Sequence, residues 1–148
     1  MKLNLKRTLL ALTFMMVAGA NYVYGQCDKT VTIKSSKTFM YSAEGALDRT
    51  KEEVTVVTIS SKEINIVPGD NEANIMSGTI TSKTCEWATP YKVGKTVLKG
   101  TLTNGNGNEL HATITIVGAD DKVTLTFEAE EIGKRKIQIV ADKFEEQS

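Results

Sequence analysis

Residues 101 to 116 read TLTNGNGNELHATITI, and the fold class turns on how this stretch is punctuated. From Leu110 onward the residues alternate: Leu110, Ala112, Ile114 and Ile116 on one side, His111, Thr113 and Thr115 on the other. A period of two is that of a β-strand, whose successive side chains leave opposite faces. One apolar face beside one polar face marks an antiparallel strand that covers a core on one side only. Just before it, Thr103-Asn104-Gly105-Asn106-Gly107-Asn108 supplies residues that tolerate positive φ, as tight hairpin turns require. The stretch predicts a β-hairpin.

The same rhythm extends in both directions. Val123, Leu125, Phe127 and Ala129 alternate with Thr124, Thr126, Glu128 and Glu130; Ile137, Ile139 and Ala141 alternate with Lys136, Gln138 and Asp142; Val31 and Ile33 lie between Thr30, Thr32 and Lys34. Gly118–Lys122 and Glu131–Lys134 read as further turns, and Pro68 ends a strand because proline cannot continue a central ladder. Glu44–Glu53 is the one segment suited to a short helix, and it lacks a periodic apolar stripe. The pattern predicts an all-β domain of about eight to ten short strands, joined mostly by hairpin-sized links as an antiparallel meander that closes into a barrel. A two-sheet β-sandwich is the alternative, since Glu44–Glu53 and Ala88–Lys95 are long enough for crossovers. The apolar runs are mostly shorter than the ~9–11 residues of a membrane-spanning strand.

Three segments share a pattern: Ser35–Tyr41 (SSKTFMY), Ser60–Ile66 (SSKEINI) and Thr81–Trp87 (TSKTCEW). Read as hairpin loops, the first sets Phe39 opposite Ile33 and Tyr41 opposite Val31. The third sets Cys85 opposite Ile80 and Trp87 opposite Gly78. Read as continuous strands, they still keep Val31, Ile33, Phe39 and Tyr41 on one face. Strand length favours hairpins, because Thr30–Ser42 would exceed the usual range of roughly 3–10 residues. The lack of Gly and Asn opposes them. The hairpin reading is preferred.

At the N-terminus Lys2, Lys6 and Arg7 precede the apolar run Thr8–Ala20, and small residues follow at Ala18-x-Ala20 and Val23-x-Gly25. This is the layout of a secretory signal peptide, expected over residues 1–25, with a single all-β domain over 26–148. Gln26 stands where a lipobox needs a small residue before Cys27, so the reading is an exported periplasmic or extracellular protein and not a lipoprotein. Without the signal the chain holds 15 Lys and Arg against 18 Asp and Glu, with no basic block, which argues against nucleic acid as a partner. Two cysteines, Cys27 and Cys85, in an oxidising compartment predict one disulfide.

Catalytic chemistry finds little in this sequence. The single histidine, His111, lies on the threonine-rich face with no partner close in sequence. Glu128 and Glu130 share the polar face of one strand, where charge is solvated rather than set across a cleft. Asp70-x-Glu72-x-Asn74 begins like a calcium loop, but Ile75 and Thr81 occupy the positions that need glycine and glutamate. No enzyme, cofactor or metal site is predicted.

In export signal, size and strand-turn rhythm, carried by Val54–Val67, Ile75–Trp87 and Val97 to Asp142, the chain resembles small secreted lipocalin-like barrels of the kind common in Bacteroidota. It departs from true lipocalins in lacking a Gly-x-Trp near the first strand, since its one tryptophan is Trp87. The resemblance implies binding of a small apolar molecule, with Phe39, Tyr41, Trp87 and Phe127 expected to line the cavity. The rival expectation is a protein partner recognised by loops at Glu44–Glu53, Pro68–Asn74 or Thr89–Gly94, with Tyr91 exposed among them.

Overall fold

The structure, a computed structural model, describes residues 27–147 apart from residue 70. The expected signal peptide lies outside the described residues. Nine strands follow in chain order: β1 (Thr30–Tyr41), β2 (Leu47–Ile59), β3 (Glu63–Pro68), β4 (Met76–Thr89), β5 (Val93–Thr103), β6 (Glu109–Ala119), β7 (Lys122–Ala129), β8 (Lys136–Val140) and β9 (Lys143–Gln147). Each of β1 to β7 pairs antiparallel with the next, and β8 pairs with β1, so eight strands close into a meander barrel. That is the lipocalin-like architecture expected, rather than a two-sheet sandwich. β9 continues the line of β8 along β1: Thr38 faces Ile139 and, beyond a break at Asp142, Lys34 faces Lys143. Asp142 bridges the break, accepting the Ser36 amide on its carboxylate and donating its own amide to the Lys34 carbonyl.

The predicted turns form for the reasons that predicted them. Thr103 faces Glu109 across the Asn-Gly turn, where Asn104 Oδ1 accepts the amides of Asn106 and Asn108, both at 3.0 Å. Ala119 faces Lys122 across a two-residue turn in which Asp120 and Asp121 take φ of 52° and 59°, the left-handed values that a hairpin of the type I′ class needs. Glu44–Glu53 differs from expectation. Ser42–Ala46 turns the chain and β2 begins at Leu47, so the segment is strand and not helix.

The Ser-Lys segments divide. Only Ser60–Lys62 is a hairpin loop, joining β2 to β3. The other two run straight through β1 and β4, at breaks in register between Ser35 and Lys37 and between Ile80 and Ser82. The expected hairpins there are corrected: Gly78 and Ile80 pair with Leu102 and Gly100, and Trp87 faces Gly94 rather than Gly78. Strands of 12 and 14 residues exceed the usual length because irregularities let them bend around a barrel. What the three segments share is the leading hydroxyl. Ser35 Oγ bonds the Lys37 carbonyl and amide, Ser60 Oγ accepts the Lys62 and Glu63 amides, and Thr81 Oγ1 donates to the Lys99 carbonyl. Each supplies a hydrogen bond where the regular ladder fails, as short hydroxyl side chains are suited to do.

The break in β1 exchanges its faces. Val31, Ile33 and Ser35 are buried, and so is Thr38, three residues on. The interior is filled by Ile59, Ile64, Leu98, Leu102, Ile114 and Ile116, all essentially inaccessible to solvent. β4 outruns β3, pairing with it only as far as Thr79. Beyond that point, among the described residues, the free side of β4 is held by the Ile80 amide donating to the Lys62 carbonyl at 2.8 Å, by the Cys27–Cys85 disulfide and by Lys83 Nζ donating to the Ser60 carbonyl at 3.3 Å. Partial burial lowers the Lys83 pKa, with nearby Asp28 opposing.

Candidate functional site

The two ends of the barrel differ. One is plugged. Trp87 lies in it, its Nε1 donating to the buried Thr96 Oγ1 at 2.9 Å. Tyr91 stacks on Trp87 at 4.9 Å between ring centroids, and Phe144 on Tyr91 at 4.3 Å. The disulfide is made two residues from Trp87, with its Cα atoms 5.9 Å apart, within the ordinary range. Tyr91, whose exposure would have favoured the partner-binding alternative, is half-buried in this stack, and desolvation raises its pKa, assisted by Glu146.

The other end is open. A cavity of about 330 Å³ runs inward between the β3–β4 and β5–β6 connections. Its most buried lining is Val57, Leu125 and Ile139, with Thr38 and Thr55 beside them. Thr38, Ile139 and Leu125 form one layer across three neighbouring strands. Nearer the mouth come Met40, Ile66, Met76, Phe127 and Ile137. The 3-10 turn Glu72–Asn74 and the turn at Asn104–Asn106 lean over the rim and touch, leaving no space for a side chain at Gly105 beside the Ala73 carbonyl.

β2 supplies a graded stripe to this cavity. Lys51, Glu53, Thr55 and Val57 are alternate residues on its inward face, passing from charged at the mouth to apolar at the floor. Lys51 Nζ meets Glu53 Oε2 at 3.1 Å, so the two formal charges offset one another. Deeper, the Thr38 and Thr55 hydroxyls, each on a residue 4% exposed, hydrogen-bond to one another at 3.2 Å. Extending the alternation of Thr55, Val57 and Ile59 backward would have revealed this stripe. Charges at Lys51 and Glu53 disguised it as a solvated loop.

The four residues expected to line a cavity are not brought together. Phe127 lines it. Trp87 is inside the barrel but in the plug at the opposite end. Phe39 and Tyr41 lie on the outer face, a correction that follows from the exchange of faces at Ser35–Lys37, because Thr38 and Met40 take the inner positions. Tyr41 Oη donates to Gln138 Oε1 at 3.4 Å, and Gln138 Nε2 donates to Thr126 Oγ1 at 3.1 Å, an outer-surface row.

A second cluster was not visible in sequence. His111 does have a partner: Nδ1 lies 2.6 Å from Glu131 Oε1, and the His111 amide donates to the same carboxylate. The hydrogen bond to Glu131 raises the His111 pKa, with the charges of Glu131, Glu109 and Glu130 adding, and the same bond lowers that of Glu131. Twenty residues of chain separate the pair, so only the fold brings them together. The site is a shallow, exposed depression, and no group of three or more metal-ligating side chains occurs among the described residues.

Compared with family models, curated proteins and solved structures, the chain finds no match in any of them. Fold and cavity therefore carry the functional reading.

Proposed function

We propose that this is an exported, non-catalytic binding protein that takes a small, mainly apolar molecule into the open end of its barrel. One observation carries the reading: the cavity of about 330 Å³. Ligand sites typically occupy roughly 300–1,000 Å³, are mostly apolar, and carry few polar groups. Eight strands enclose either a filled core or space for one small ligand, and here one end is filled and the other is not. The space would take about ten waters at ~30 Å³ each, or one compact organic molecule. A disulfide that ties the chain together fits an oxidising, extracytoplasmic setting.

Equilibrium dialysis with naphthalene, a rigid neutral probe, tests this directly. Saturable one-to-one binding in the micromolar range is expected, and Met40→Trp, which fills the mouth side of the cavity, should abolish it. Absence of saturable binding, together with no small molecule retained in native mass spectra of protein from its own host, would refute the reading.

A further inference from the structure

We infer that the buried Thr38–Thr55 pair selects the ligand: a neutral apolar molecule carrying one hydrogen-bonding oxygen, a hydroxyl or carbonyl, at its buried end. The inference rests on the cavity being a binding site and deepens that reading by naming the ligand's chemistry.

A threonine hydroxyl has one proton to donate and two lone pairs to accept with. The two hydroxyls spend one proton on each other, and that mutual bond is the one each makes among the described residues. One proton and several lone pairs remain, on residues that both line the cavity beside Val57, Leu125 and Ile139. A buried polar group left without a partner costs more than a hydrogen bond returns, so the pair disfavours a purely hydrocarbon ligand at its end of the space. A single oxygen can accept the spare proton and, as a hydroxyl, donate to a lone pair.

The charge of the ligand follows from the mouth. Lys51 and Glu53 are the charged residues of the lining, and they are paired at 3.1 Å. Glu53 is the more enclosed of the two, its side chain 19% exposed against 44% for Lys51. An anion entering would gain from Lys51 and lose to Glu53, so no net charge is favoured. The rest of the wall carries no formal charge.

The probes are naphthalene, 2-naphthol and 2-naphthoate at neutral pH, measured by equilibrium dialysis against the full exported chain. Wild-type protein is expected to prefer 2-naphthol to naphthalene by about three- to tenfold, the range of one net hydrogen bond, and to bind 2-naphthoate more weakly than 2-naphthol. In T38V/T55V the preference should shrink to within twofold while naphthalene binds at least as well as before. Replacing both partners of a buried hydrogen bond by apolar groups of similar shape is close to neutral for folding. T38S/T55S keeps both hydroxyls and should keep the preference. Equal wild-type binding of naphthalene and 2-naphthol would overturn the threonine inference while leaving the cavity reading intact. A preference that survives in T38V/T55V, or tighter binding of 2-naphthoate, would do the same. Failure of all three probes to bind would overturn both.

Discussion

Replacing Gly118 by alanine is expected to destabilise the protein by jamming the plugged end of the barrel. A Cβ at Gly118 would fall 2.6 Å from Trp87 Cζ3 and 3.1 Å from the Lys92 carbonyl carbon, where ordinary contact begins near 3.4 Å. The indole cannot easily retreat. Its Nε1 is bound to Thr96, Tyr91 lies against it, and its backbone is packed on Gly94, whose φ of 144° suits glycine alone. The disulfide at Cys85 anchors the same strand. Overpacking of this kind costs about 1–3 kcal/mol. Against it, an alanine at a position without positive φ restricts the unfolded chain, which returns roughly 0.4–1 kcal/mol. The net loss should be about 0.5–2 kcal/mol, or roughly 0.2–2 M in the urea midpoint at the usual slopes of about 1–3 kcal/mol/M. Near-ultraviolet circular dichroism of the single tryptophan should change with it. Combining Gly118→Ala with Trp87→Phe, which removes the outer ring that the new methyl strikes, should cost less than the two changes summed. Unchanged stability with an unchanged tryptophan signal, or strict additivity in the double variant, would show that the indole does not lie over Gly118.

Removing the Cys27–Cys85 bridge with a double serine variant should cost up to roughly 4 kcal/mol, the chain-entropy value for a loop of this size; a urea midpoint lowered by less than 0.5 M would argue that the bridge is dispensable. The His111–Glu131 pair should make stability depend on pH from both sides. The raised imidazole contributes fully below its unfolded pKa of about 6.5 and loses that contribution as pH rises through the higher folded value. The depressed Glu131 carboxyl contributes above its unfolded pKa of about 4.3 and loses it as pH falls through the lower folded value. Nuclear magnetic resonance titration of the His111 ring should show the upward shift, and Glu131→Gln should return it toward the ordinary value and flatten the loss of stability at higher pH.

Local chemistry was enough to establish the all-β class, most of the turns and the pairing of two cysteines. Alternation at Leu110–Ile116 and Val123–Ala129, the Asn-Gly run and Asp120-Asp121 act within a few residues, where propensity and turn geometry decide. The order of strands was legible for the same reason, because short links leave consecutive strands little choice but to pair. Three things depended on distant parts of the chain. Strand closure bends β1 and β4, and the break at Ser35–Lys37 that allows it reverses which side faces inward; a period-two reading carried across it therefore placed Phe39 and Tyr41 inside and hid Met40. The inward-facing charges of Lys51 and Glu53 are tolerable only because they meet each other at an open mouth. The Thr38–Thr55 contact joins two strands and the His111–Glu131 contact joins a strand to the turn after β7, both through the barrel's register, and register is a property of the closed sheet, not of any segment in it.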